Sequence, residues 1–187
     1  MVIWIIGMPG AGKTVLGKAL SNNLRKIYPN VVFIDGDIIR QLMGNDIGHT
    51  IEDRKKNSDR ICKLCKLLDQ QNIHVVCSIL SIFHEAQNWN RKNYKQYFEV
   101  YIDVPMDVLM QRDQKELYSK VVKKEIFNVV GFDIPFTPPV KPDLIIKNDK
   151  QGLDFSFFST KITSTVQRLL QETHEKNQDN ITNNDCS

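Results

Sequence analysis

Cysteine is scarce in this chain, with four residues in 187, too few and in settings too apolar for the disulfide framework of a small secreted domain. A reducing cytoplasm is the expected compartment. Long hydrophobic runs are missing as well. The first apolar segment, Val2 to Ile6, has no basic stretch before it and is shorter than the ~7 to 15 residues of a secretory core, and nothing approaches the ~20 of a membrane span; no membrane partner is expected. Charge of one sign is also lacking. The net charge is +3, and the excess of basic residues is too thin for the dense basic face that nucleic acid requires. An anionic small molecule held in a local positive pocket fits better. Repeats of solenoid period are absent, and low complexity begins only near residue 170.

What remains is an ordinary folded composition, 41% hydrophobic and 25% charged, in a length that suits one domain. Short β-branched or aromatic runs recur at Val2 to Ile6, Val31 to Ile34, His74 to Ser78, Phe98 to Asp103 and Leu144 to Lys147, each bounded by Gly, Asp, Asn or Pro. They read as strands buried on both faces. Helix-length segments alternate with them: Lys13 to Ile27, Ile51 to Gln70, about Glu85 to Lys95, Met106 to Gln111, and Phe155 to Gln171. In the second, Ile61, Leu64, Cys65 and Leu68 fall on one stripe at the spacing of a half-buried helix. The expectation is an α/β fold, a five-stranded parallel sheet flanked by helices, over residues 1–170. A lid is expected over about 114–139, where the alternation breaks, and a disordered polar tail over 171–187. Cys62 and Cys65 carry the spacing of a redox or zinc half-motif, but no second pair follows and the surrounding pattern is helical, so two buried thiols are expected. Trp4 and Trp89 read as packing groups.

The strongest motif is Gly7-Met8-Pro9-Gly10-Ala11-Gly12-Lys13-Thr14, a complete G-x-x-x-x-G-K-[ST] between an apolar strand and a helix. Such a turn offers backbone N–H groups and a helix N-terminus to phosphate oxygens. Gly7, Gly10, Ala11, Gly12, Lys13 and Thr14 are therefore the expected ATP-binding residues, with Lys13 at the β- and γ-phosphates and Thr14 as the Mg2+ ligand. A second motif, Asp35-Gly36-Asp37-Ile38-Ile39-Arg40, ends the second strand at the edge where ligands bind in open α/β sheets. One carboxylate there can take a proton from an attacking hydroxyl, and Arg40 can grip an anion. An Asp-Gly turn with an Asp helix cap is the plainer alternative. No Asn-Lys-x-Asp run follows a later strand, and Lys147-Asn148-Asp149-Lys150 has the wrong order for a guanine-reading site.

These blocks, with Asn45-Asp46-Ile47-Gly48, Glu52-Asp53-Arg54, Asn57, Ser78-Ile79-Leu80-Ser81, Val100 to Pro105, Gln111-Arg112-Asp113, Glu116-Leu117-Tyr118, Glu125-Ile126, Gly131 and Asp133, make the chain resemble the adenylylsulfate kinase family over roughly residues 2–149. The resemblance implies transfer of the γ-phosphoryl of MgATP to the 3′-hydroxyl of adenylylsulfate. It implies Asp37 as base, with Lys13, Asp35 and Ser81 beside it in the catalytic set, the serine matching one described in the family as a phosphorylated intermediate. Arg112 would stack on the ATP base, and Asp37, Arg40, His49, Arg54, Asn57, Ile79, Leu80, Lys124 and Val129 would meet the acceptor. A homodimer is common in such proteins. Lys115, Lys120 and Lys123 join Arg112 and Lys124 in a basic cluster suited to a closing lid.

The departures concern the acceptor. Relatives carry phenylalanine where His49 and Val129 stand, sandwiching the acceptor's adenine, and the usual Pro-aromatic-Arg after the serine is Ile82-Phe83-His84 here. A donor half that matches beside an altered acceptor half leaves open another nucleotide-linked anion, such as cytidine diphosphoramidate. A non-catalytic nucleotide-binding regulator is the remaining alternative.

Overall fold

The computed structural model describes residues 1–113, 116–150 and 152–184. Five strands, β1 (Val2–Gly7), β2 (Val31–Asp35), β3 (His74–Ile79), β4 (Tyr97–Asp103) and β5 (Leu144–Lys147), form one parallel sheet in the order β2-β3-β1-β4-β5. Seven helices accompany them: α1 (Lys13–Arg25), α2 (Gly36–Leu42), α3 (Ile51–Gln70), α4 (His84–Asn93), α5 (Met106–Arg112), α6 (Leu117–Val122) and α7 (Phe155–Asn184). Among the described residues no helix is long and apolar enough to cross a membrane.

β1 is central, and its alternation divides the core. Ile3 and Ile5 join Leu16, Leu20, Val100, Ile102, Ile162 and Val166 beneath α1 and α7. Val2, Trp4 and Ile6 join Ile34, Ile61, Cys65, Val75 and Cys77 beneath α3. A strand buried on both faces cannot be read by alternation, which is why β1 shows a continuous apolar run. β5 departs from the expected double burial: it is an edge strand in which only Ile146 is buried. Cys62, Cys65 and Cys77 are buried free thiols. Trp4 is fully buried, and Trp89 packs edge-on against Tyr94 with centroids 5.9 Å apart.

Because the chain crosses from β3 past β1 to β4, the connections diverge around the carboxyl end of β1, the usual binding crevice of such sheets. The turn after β1 and the acidic end of β2 both reach this edge. Two helices exceed the sequence expectation there. α2 forms because the Asp35 side chain accepts from the Asp37 N–H, a helix cap. α6 forms in the segment expected as a lid because the Asp113 carboxylate accepts from the N–H groups of Tyr118 at 2.7 Å and Ser119 at 3.1 Å. α7 runs from Phe155 through Asn184, into the stretch expected as a polar tail. Its first turns bury Ile162 and Val166, and Gln, Glu and Lys beyond them are good helix formers, so a nucleated helix propagates past its packed part.

Candidate active site

A cavity of about 930 Å³ opens at the carboxyl edge of the sheet, between the turn after β1, the end of β2, the start of α3 and the lid. The turn occupies one wall. Gly12 has φ +99, and a Cβ there would run into the Phe155 ring, so both the backbone angle and the close approach of α7 require glycine. Gly12 is also the N-cap of α1 and brings no side-chain cap. A helix start without a side-chain cap leaves N–H groups for an anion.

Lys13 lines the cavity and donates from Nζ to the Met8 carbonyl oxygen at 2.9 Å. Burial lowers its pKa to about 8, with the Asp37 and Asp35 carboxylates pulling it back up. Lys13 therefore sits beside two carboxylates that favour its charged form. Thr14 Oγ1 donates to Asp35 Oδ2 at 2.7 Å, bringing a hydroxyl and a carboxylate together at the mouth of the turn. No group of three or more His, Cys, Asp or Glu side chains suited to a metal occurs among the described residues. Thr14 and Asp35 form the sparse oxygen set that suits Mg2+, an ion that keeps waters and takes most other ligands from nucleotide phosphates.

The opposite wall is cationic. Arg40 is 9% exposed, donates to the Ile47 carbonyl at 3.2 Å and to that of Gly48, and leaves its buried Nε with no protein partner. It thereby seats the loop that presents His49. Arg54 bridges the wall to the lid, donating from Nε to the His49 carbonyl at 2.9 Å and from Nη2 to the Asn128 carbonyl at 2.7 Å. Asn57 donates to the Gly36 carbonyl at 3.3 Å while its buried Oδ1 lacks a partner. Orphaned polar atoms on a cavity wall are costly unless a ligand or water meets them. Burial, followed by the Arg40 and Arg54 charges, lowers the His49 pKa, so His49 faces the cavity as a neutral ring.

The lid carries Val129 to the same cavity. The Asp133 carboxylate accepts from the Asn128 and Val129 N–H groups at 2.5 Å each, fixing the turn in which Asn128 has φ +62. Tyr118 is 2% exposed and its hydroxyl donates to the Pro9 carbonyl at 2.8 Å, fastening lid to turn. Ile79, Leu80 and Ser81 form the floor, where Ser81 is 3% exposed and Gln87 Nε2 lies 3.4 Å from its Oγ.

Thus Gly10, Gly12, Lys13, Thr14, Asp35, Asp37, Arg40, His49, Arg54, Asn57, Ile79, Leu80, Ser81 and Val129 all line one cavity. Four expected residues do not. Gly7 ends β1 against the Ile102 carbonyl, and Ala11 is fully buried beneath the turn. Lys124 is exposed with φ +59 and its N–H donates to the Val121 carbonyl at 3.0 Å, so it closes the end of α6. Arg112 lies outside the cavity lining and holds the 148–150 segment through Nη2. His84, at the position of the usual arginine, lies 2.9 Å by Nε2 from the Pro138 carbonyl and anchors the far end of the lid. Lys120 pairs with Glu116 at 3.2 Å, and Lys115 lies outside the described residues. Sequence reasoning missed Tyr118, Phe155 and Asn148, whose partners are distant in the chain.

Residues 1–147 match the family described as adenylylsulphate kinase. The chain is 42% identical over 150 residues to the cytidine diphosphoramidate kinase of Campylobacter jejuni, covering 79% of this chain and 85% of that one. It is 36% identical over 156 residues to the adenylyl-sulfate kinase of Halothermothrix orenii, covering 83% and 84%. The structure of the Mycobacterium tuberculosis APS kinase in complex with AMPPNP and APS is similar with a TM-score of 0.80 at 26% identity, covering 89% of this chain and 96% of that chain.

Proposed function

The chain belongs to the adenylylsulphate kinase family, and on that premise we propose that it transfers the γ-phosphoryl group of ATP to the 3′-hydroxyl of adenylylsulfate, giving 3′-phosphoadenylylsulfate. It is an ATP-dependent phosphotransferase with a hydroxyl acceptor. One observation carries the reading: a single cavity joins the lysine of a phosphate-binding turn, two carboxylates and two arginines.

In this reading the turn and Lys13 hold the donor phosphates. Asp37 orients the acceptor hydroxyl and takes its proton, while Arg40 and Arg54 hold the acceptor's anionic group and Asn57 its polar edge. Thr14 and Asp35 would hold Mg2+, which when bound offsets phosphate charge during transfer. Positioning and charge neutralisation suffice for such a transfer. Ser81, held by Gln87 in the floor, serves as a wall of the acceptor site without a covalent relay. The lid closes over both substrates through Tyr118 and Arg54. The buried free thiols support a cytoplasmic setting.

A second reading is favoured by a specific observation. The cavity presents His49 and Val129 where the resemblance implies two aromatic rings, a smaller platform at those two positions than a purine prefers, and the Campylobacter jejuni relative is a cytidine diphosphoramidate kinase. The same residues would then phosphorylate a cytidine-linked anion. Mass spectrometry and 31P NMR of products formed from ATP with each acceptor test both readings. A new phosphomonoester on the acceptor ribose is expected; ATP hydrolysis with both acceptors left intact would contradict them.

A further inference from the structure

Asn148 follows β5 at the carboxyl edge of the sheet and is 4% exposed. Its backbone N–H donates to the Asp103 carbonyl at 2.8 Å, so β4 fixes its position. Its side chain faces two ways. Nδ2 donates to the Ala11 carbonyl at 3.1 Å, inside the phosphate-binding turn, and Oδ1 accepts from Arg112 Nη2 at 3.1 Å. The same Nη2 reaches the backbone carbonyls of Asn148 at 3.1 Å and Lys150 at 2.9 Å. Three oxygens around one Nη2, which carries two hydrogens, hold that end of the guanidinium in place.

We propose that Asn148 is a positioning residue of the donor site, bracing the phosphate-binding turn at the Ala11 carbonyl against the Arg112 side chain so that the seat for the phosphates of ATP is fixed before the nucleotide binds. The proposal rests on the donor-site reading above, in which the turn and Lys13 hold the donor phosphates. A protein whose phosphate seat is already fixed before binding loses less ordering entropy on association. An amide suits the task because it alone supplies a donor for Ala11 and an acceptor for Arg112 from one buried planar group. Removing it leaves the Ala11 carbonyl without its partner and cuts the turn loose from Arg112, which keeps the backbone carbonyls of residues 148 and 150. Nothing in the contact set touches Asp37, Arg40 or Arg54, so the acceptor side is independent of it.

The test is AMPPNP binding by calorimetry together with steady-state kinetics on the full chain, for Asn148→Ala, Arg112→Ala and the double variant. Asn148→Ala is expected to weaken AMPPNP binding and raise KM for ATP ~10-fold, with kcat and the acceptor KM within ~2-fold. The double variant should bind AMPPNP no more weakly than the worse single variant, since each change breaks the same tie. Asn148→Asp fits the same space and keeps an oxygen toward Arg112, guarding against a fold failure. It should also raise KM for ATP, because an acceptor oxygen then faces the Ala11 carbonyl. Folded variants whose AMPPNP affinity stays within ~2-fold of wild type would overturn the proposal. So would a parallel loss of kcat and both KM values together with a lowered Tm in both Asn148 variants, the mark of a merely structural residue. Failure of the wild-type chain to bind AMPPNP would overturn the donor-site reading itself, and is distinguishable from either.

Discussion

Thr14 Oγ1 donates to Asp35 Oδ2 across 2.7 Å, linking the first turn of α1 to the end of β2. The other Asp35 oxygen caps α2 through the Asp37 N–H at 3.0 Å. One carboxylate thus serves a helix and the mouth of the phosphate-binding turn, and two substitutions separate these duties. Asparagine is as good an N-cap as aspartate, so Asp35→Asn should keep Tm near wild type while raising the Mg2+ concentration for half-maximal turnover. Asp35→Ala should lose ~1 kcal/mol of stability in addition. Equal Mg2+ dependence in wild type and Asp35→Asn would leave Asp35 only its cap.

In the proposed function Lys13 serves the donor and Asp37 the acceptor. Lys13→Ala removes a charge from the phosphate seat and should cut turnover at least ~10²-fold with the fold intact. Asp37→Asn should lose ~10² to 10⁴ in kcat with KM for ATP nearly unchanged, the range of a positioned general base. An Asp37→Asn enzyme impaired only in ATP affinity would move the base role elsewhere.

A pH effect on stability is expected far from the site. His74 is held down to about 4 by burial and by the neighbouring Met1 ammonium, with Asp69 opposing. Folded-state depression of a base means that the unfolded chain takes up the proton first. Between pH 6.5 and about 4 the unfolded state binds more protons, and stability is lost as pH falls through that window. Against His74→Gln, the wild type should therefore lose ~1 to 3 kcal/mol of relative stability between pH 7 and pH 4, discounted for the partly exposed ring. Denaturant melts of both proteins across that range check it; a pH-independent difference would show that His74 titrates normally.

The altered acceptor wall predicts a substrate preference. Loss of two stacking rings is worth ~1 to 3 kcal/mol per base, so KM for adenylylsulfate should be high and should fall ~10-fold or more in the His49→Phe, Val129→Phe double variant, with KM for ATP unchanged. Phe127 is the aromatic ring that the lid already brings to this cavity, whereas Phe132 packs with Tyr118, centroids 5.7 Å apart. A micromolar KM for adenylylsulfate in the wild type, with no gain in the double variant, would assign the platform to Phe127.

Much of this was legible from local sequence. Gly7 to Thr14 announces its own turn because glycine spacing, lysine and the strand before it act within a few residues, and the five strands follow from continuous apolar runs. The rest depends on partners that sequence does not bring together. Asn148 sits in Lys147-Asn148-Asp149-Lys150, an unremarkable exit from a strand, yet it bonds Ala11 at a separation of 137 residues and Arg112 at 36. Lys124 has the charge expected of a lid contact, but the left-handed turn that closes α6 leaves it outside the cavity. Arg112 is likewise spent on the 148–150 segment, and α7 outran its apolar stripe because helix propagation needs only a nucleated start.

ADP release measured with adenylylsulfate, cytidine diphosphoramidate and plain nucleotides as acceptors is the most direct test of the phosphotransfer account. The account predicts acceptor-dependent ADP release with at least one of the two nucleotide-linked anions, lowered ~10²-fold or more in Asp37→Asn, and little with plain nucleotides. Release that is equal with and without acceptor would contradict it.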